Sequence, residues 1–107
     1  MPDESRVAAL TELLTANPND AFARYALGLE YSGAGQTDAA IAEFQQLLAS
    51  HPDYTNGYFM AAQTLARADR NDEARALLQR GIESARRTGN RHAQAEMQGM
   101  LDELNGV

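Results

Sequence analysis

The sequence contains no cysteine, no lysine and no tryptophan. The lack of cysteine excludes disulfides, thiolate zinc sites and cysteine nucleophiles. The lack of lysine excludes a Walker-type phosphate loop and an enzyme that works through a Schiff base. Several common classes of site chemistry are therefore excluded at once.

Long apolar runs are missing as well. No stretch approaches the ~20 apolar residues that a membrane-spanning helix needs. The first ten residues, MPDESRVAAL, have neither the basic segment nor the apolar stretch of a secretory signal. We therefore expect no membrane partner and a cytoplasmic location.

Positive charge is scarce, since nine arginines face fifteen acidic residues and the formal net charge is −6. The field of such a protein repels phosphate backbones and anionic lipid surfaces. We therefore expect no nucleic-acid partner. The length of 107 residues, 44% of them hydrophobic, suits one globular domain.

What is present is an internal repeat. Residues 7–20, VAALTELLTANPND, align with residues 41–54, IAEFQQLLASHPDY, with identities at alanine, at two leucines and at proline. The same shift of 34 residues continues downstream, where it pairs Tyr25 with Phe59 and Asp38 with Asp72. A constant period of this size predicts stacked supersecondary units.

Each unit has the apolar spacing of two helices and none of the strict alternation of a strand. Pro18 and Pro52 mark the joins between units. Gly33 and Gly35 suit a helix C-terminus, and Thr37 and Asn71 are predicted N-caps. The pattern predicts six helices, near 3–16, 21–33, 37–50, 55–68, 71–87 and 91–104.

These residues resemble the tetratricopeptide repeat family, whose unit is a 34-residue helix–turn–helix. The motif is clearest in residues 21–54, as Leu27, Gly28, Tyr31, Gly35, Ala40, Phe44 and Pro52, and weaker in residues 55–88. The departures are Arg24 for an aromatic residue, Leu47 and Gly81 for alanine, Asp69 for the turn glycine and Arg86 for the closing proline.

The resemblance implies an all-α fold, a right-handed helical repeat stack (α-solenoid) of about six antiparallel helices. We expect residues 1–107 to form a single domain, with capping helices at 3–16 and 91–104 and full repeats at 21–54 and 55–88. Within each repeat we expect the helices to approach most closely at small residues, because helix axes come within about 8–10 Å only there. These contacts are Gly28 with Ala40 and Ala62 with Ala74.

The stretch FARYALGLEYSGAG, residues 22–35, is apolar on two opposite sides of its helix. One side, with Leu27 and Gly28, belongs to the repeat core. By resemblance to the family, the second side and its equivalent in the next repeat line a concave, aromatic-lined, peptide-binding groove. The predicted groove residues are Phe22, Tyr25, Leu29, Asn56, Phe59, Met60, Gln63 and Arg67.

We expect the apolar members of this set to form one continuous strip that binds an aromatic or aliphatic segment of a protein or peptide. Asn56, Gln63 and Arg67 would serve backbone or acidic groups of that segment. The family's basic clamp for a C-terminal carboxylate has no counterpart at these positions. The competing interpretation is that the aromatic residues pack between neighbouring helices.

No catalytic, metal or cofactor site is predicted. His51 and His92 are far apart in the sequence and have no cysteine neighbours, whereas a metal site needs three or four converging ligands. The predicted function is that of a non-enzymatic adaptor or scaffold that binds proteins. The alternatives are a self-associating scaffold whose groove face is buried in a weak homodimer, an RNA-binding helical repeat, and, least favoured, an enzyme.

Overall fold

The chain folds into six α-helices with no β-strand, and the computed structural model describes all residues from 1 to 107. The predicted all-α fold is confirmed, and every helix boundary lies within one residue of its predicted position. The helices are α1 (Glu4–Ala16), α2 (Ala21–Gly33), α3 (Thr37–Ser50), α4 (Thr55–Arg67), α5 (Asn71–Thr88) and α6 (Arg91–Asn105).

Three helices begin with a side-chain cap. The carboxylates of Asp3 and Asp20 and the amide oxygen of Asn90 each accept a hydrogen bond from the backbone N–H three residues later. Such a bond satisfies one of the first N–H groups of a helix, which have no partner within the helix.

The predicted N-caps at Thr37 and Asn71 are wrong by one residue. Both are the first residues inside their helices, and the N-caps are Gln36 and Arg70, neither of which makes a capping bond through its side chain. The turns before these helices are closed by left-handed residues, at Gly35 (φ 75°) and at Asp69 (φ 62°). The chain reverses there before the helix begins, which displaces the cap.

The chain divides into two compact units, Met1–His51 (unit 1) and Pro52–Val107 (unit 2). The assignment of the whole chain to a single domain, and of the repeat boundaries at 21, 55 and 88, stays a prediction.

Unit 1 is built around the close approach of α2 and α3. A Cβ atom on Gly28 would lie 2.6 Å from a ring carbon of Phe44, and that ring is completely buried. Carbon atoms in contact are normally about 3.5–4.0 Å apart, so this position requires glycine. On the other side of α2, Leu14 of α1 packs against Ala23 and Leu27.

Polar contacts also tie the helices of unit 1 together. Arg24, which replaces the usual aromatic residue, pairs with Glu43 at 2.8 Å and donates a hydrogen bond to the Pro18 carbonyl at 3.2 Å. The equivalent residue of unit 2, Tyr58, donates its hydroxyl hydrogen to the Pro52 carbonyl at 2.8 Å. Two different side chains therefore make the same bond to the preceding turn.

In unit 2, α5 makes a close contact with two other helices at Gly81. A Cβ atom there would lie 2.5 Å from Sδ of Met97 on α6 and 2.6 Å from Cβ of Tyr58 on α4. Three helices therefore meet at one residue without a side chain. The predicted contact residues Ala62 and Ala74 are also completely buried.

The first prediction compares two glycine-to-alanine changes in unit 2. Gly81→Ala should lower the free energy of unfolding by about 1–3 kcal/mol, because the new methyl group overlaps Tyr58 Cβ, which is fixed to the backbone of α4. Gly99→Ala on α6 should raise it by about 0.5–1 kcal/mol, because alanine favours the helix and nothing lies within 4 Å of the added atom. Chemical denaturation measures both, and equal stabilities would contradict the packing at Gly81.

In unit 1, an ion pair holds the start of α1 against α2. Glu30 accepts hydrogen bonds from the Arg6 guanidinium at 3.1 Å and from the Asp3 backbone N–H at 2.7 Å. The bond from Arg6, reinforced by that from Asp3, holds the pKa of Glu30 below its ordinary value of 4.5.

The second prediction concerns pH. Because the folded state favours the Glu30 carboxylate, this contribution to stability is complete above about pH 4.5 and is lost as the pH falls below that value. Glu30→Gln should therefore be less stable than the wild type at pH 7, with a difference that shrinks as the pH falls towards 3. Denaturant unfolding at several pH values measures this. A difference that does not change with pH would contradict it, and Glu12→Gln on the exposed face of α1 is the control.

Candidate functional site

A groove runs between α4 and α6 within unit 2. One part of it has a volume of 390 Å³, and an adjoining depression of 340 Å³ shares Gln63 and Met100 with it. We call this the α4/α6 groove. Its lining residues are Phe59, Gln63, Ala66 and Arg67 from α4 and Ala95, Glu96, Gly99, Met100 and Glu103 from α6.

The helical period explains which α4 residues face the groove. Tyr58, Ala61 and Leu65 are buried in the core of unit 2. Phe59 and Gln63, four residues apart, lie one position beyond buried residues and share the neighbouring face. Both are half-buried, so the Phe59 ring is held by the core at one side and reaches solvent in the groove at the other.

The α6 residues that line the groove occupy equivalent positions in their helix to those of α4. The number of residues between the starts of successive helices differs, however. The helices α2, α4 and α6 begin at Ala21, Thr55 and Arg91, so the second interval is two positions longer than the first. With this longer interval, the groove positions of α4 map onto three α6 residues that also line the groove. Phe59, Gln63 and Arg67 correspond in this way to Ala95, Gly99 and Glu103.

Sequence reasoning missed the α6 wall, because it treated residues 91–104 as a cap and kept the period of the first two repeats. The longer interval arises because α5 has 18 residues whereas α3 has 14 residues, a difference that the shorter turn after α5 offsets only in part. A search of the last helix with shifted registers would have found Ala95, Gly99 and Glu103.

The structure brings together only some of the predicted residues of unit 2. Phe59, Gln63 and Arg67 line the groove. Met60 is half-buried and does not line it, and its carbonyl accepts a hydrogen bond from the Thr64 hydroxyl at 2.7 Å. Asn56 lines a separate, more polar depression of 480 Å³ near Thr88.

The predicted residues of unit 1 differ in their surroundings. Phe22 is 72% exposed. Tyr25 is half-buried, with its ring centroid 6.2 Å from that of Phe44, a tilted aromatic pair that links it to the core. Leu29 is half-buried. The continuous strip across both units stays a prediction.

Another depression, of 570 Å³, lies beside α5 and is lined by residues that include Tyr58, Gln79 and Arg80. The Arg80 guanidinium carbon is 5.4 Å from the centroid of the Tyr58 ring, within the range of a cation–π contact. Tyr58 is itself buried and bonded to Pro52, so this contact covers the core rather than offering an open ring.

No three His, Asp or Glu side chains converge in a way that would hold a metal ion. The Nε2 atom of His92 lies 3.3 Å from a carboxylate oxygen of Glu96 one turn later on α6, and both side chains are half or more exposed. None of the six helices combines the length and the apolar character that crossing a membrane requires.

Comparison with known proteins agrees with this architecture. The sequence profile of the tetratricopeptide repeat matches residues 31–98, and a second profile with the same description matches residues 2–59. No curated protein matches the chain.

Solved structures with the same fold include a tetratricopeptide repeat domain protein from Salinibacter ruber. Its solution structure has a TM-score of 0.78 and 33% identity, over 85% of this chain and 92% of that one. A crystal structure from the same organism gives 0.74 and 33%, over 82% and 98%. A Bordetella parapertussis protein has a TM-score of 0.80 at 24% identity, over 92% and 86%, and shows the fold alone.

The chain belongs to the tetratricopeptide repeat family, because each profile covers more than half of its residues. Members of this family are in general non-enzymatic modules for protein–protein interaction, and the fold supports that general role here.

Proposed function

We propose that the α4/α6 groove binds a segment of a partner protein and that the chain acts as an adaptor without catalytic activity. The observation that carries this proposal is a groove whose largest apolar side chains, Phe59 and Met100, are only half-buried. Protein-binding grooves typically combine such exposed apolar anchors with a few polar groups at their edges.

The polar groups are present at the edges of the groove. Gln63 and Arg67 line it on the α4 side, and Glu96 and Glu103 line it on the α6 side. Backbone N–H and C=O groups of a bound segment need hydrogen-bond partners when they leave water, and these side chains supply donors and acceptors. If three apolar side chains of the bound segment each contribute about 1.5–3 kcal/mol on burial, the affinity is micromolar or weaker once the costs of ordering and immobilising the segment are subtracted.

The net charge of −6 and the location of acidic side chains in the groove favour a protein partner over a nucleic acid or an anionic membrane. The proposed location is the cytoplasm, as the sequence leads us to expect.

The third prediction tests the groove with partners captured by affinity from the native organism. Phe59→Ala should lower the affinity for a captured partner about tenfold, which corresponds to about 1.4 kcal/mol, while circular dichroism shows unchanged helical content. Gln79→Ala, at an exposed position of α5 outside the groove, is the control and should bind like the wild type. Wild-type affinity of Phe59→Ala for every captured partner would contradict the proposal.

Self-association through a homodimer is the alternative function. The observation that favours it is Phe22, which is 72% exposed. Covering this ring with a second copy of the chain would remove apolar surface from water, which is favourable.

The fourth prediction is that the protein sediments as a monomer at micromolar concentration, because one exposed ring is far less than the area that a stable dimer buries. A mass that doubles with concentration, and that Phe22→Ala returns to the monomer value, would support the homodimer instead.

A further inference from the structure

We infer that the segment bound in the α4/α6 groove is extended and carries two cationic side chains, arginine or lysine, three residues apart with an apolar side chain between them. This inference rests on the proposed function of the groove. It is carried by the charges and the shape of the α6 wall, which sequence reasoning did not assign to the groove.

The α6 wall contributes two carboxylates, Glu96 and Glu103. Seven residues of α-helix are two turns and rise about 10 Å, so both carboxylates lie on the same side of α6 at that separation. This distance is too great for one metal ion to bridge. It corresponds to three residues of an extended chain in the polyproline II conformation, which rises about 3.1 Å per residue and brings side chains three residues apart to the same face.

The charges around these carboxylates leave them able to receive cations. Glu103 is exposed, and the partner of Glu96 is His92, which is charged only when protonated. Arg67, across the groove on α4, already takes part in an interaction within the protein. Arg75, which donates to the Leu104 carbonyl at the end of α6, has its charge matched by Asp72 at 2.6 Å.

Between the two carboxylates lies Gly99, three residues after Glu96 and four before Glu103. Glycine in a helix interior costs about 0.5–1 kcal/mol relative to alanine, and no packing inside the protein requires it here, since nothing lies within 4 Å of a Cβ atom at this position. The missing side chain exposes the helix backbone between the carboxylates, so an apolar side chain of the bound segment can lie there against Phe59 and Met100.

An acidic segment fits this surface poorly. Its carboxylates would lie beside Glu96 and Glu103, and charges of the same sign repel at that distance. The sequence-based expectation that polar groove residues would serve acidic groups considered only the α4 side. The complete lining shifts the preference to cations.

The experiment measures binding of fluorescent ten-residue peptides to the full chain by anisotropy. One peptide has two arginines three positions apart with leucines between and beside them, and the other has glutamates in place of the arginines. The arginine peptide should bind at least about tenfold more tightly than the glutamate peptide in low salt, and the difference should shrink at high salt, where the Debye length is shorter.

Glu103→Gln should weaken binding of the arginine peptide about three- to fivefold, the range expected for one partly exposed ion pair. Glu12→Gln is the matched control, because it removes the same charge from an exposed position of α1 in unit 1 and should leave the affinity unchanged. Equal losses in the two variants would show that the peptide follows the net charge, which would overturn the inference.

Phe59→Ala separates this inference from the function on which it rests. Equal binding of both peptides, with each weakened by Phe59→Ala, would leave the groove as a binding site and overturn its preference for cations. Binding of the arginine peptide that Phe59→Ala does not weaken would overturn the groove itself. Failure of the arginine peptide to bind below about 1 mM would also overturn the inference.

Discussion

At Gly81, three helices of unit 2 meet at a residue that has no side chain. Tyr58 of α4 and Met97 of α6 both occupy the space where a Cβ atom would be. Because α4 and α6 are both fixed to α5 at this point, the distance between them is set there too. That distance is the width of the α4/α6 groove, so the shape of this candidate site depends on a packing contact in the core.

The groove lies next to this contact on the surfaces of both α4 and α6. Next to the buried Tyr58 stands Phe59, and three residues after the buried Met97 stands Met100. Residues that close the core and residues that line the groove therefore alternate within a single helical turn. On α4 one side is therefore buried in the core, whereas the adjoining side, with Phe59, Gln63 and Arg67, is left for the groove.

Much of the fold could be predicted from the repeat period, because the period reflects short-range rules of helix formation that recur in each unit. The conclusion that Gly28 is a close contact was also accessible, since a glycine amid the apolar residues of a helix indicates close packing. The role of Gly81 was not, because the sequence shows it only as a departure from the family pattern. Its necessity arises from Tyr58 and Met97, which belong to the helices before and after α5.

The candidate site could be predicted only on the α4 side. Phe59, Gln63 and Arg67 follow from the helix face of one repeat, whereas Gly99 and Glu103 depend on the extra length of α5, which displaces α6 from the repeat period by two positions. For Tyr25 the sequence left two interpretations open, a groove residue or a residue packed between helices, because periodicity places a residue on a face without showing what covers it; its ring pairs with that of Phe44. The charge of the groove depends on residues of both α4 and α6, so it cannot be predicted from the sequence of α4 alone.

The most direct test of the account is a titration of the ¹⁵N-labelled protein with the arginine peptide, followed by two-dimensional amide NMR. The account predicts that the largest shift changes fall on α4 between Phe59 and Arg67 and on α6 between Ala95 and Glu103, with the Gly99 amide among them. Changes concentrated instead around Gln79 and Arg80, or confined to unit 1, would contradict the claim that the α4/α6 groove is the binding surface.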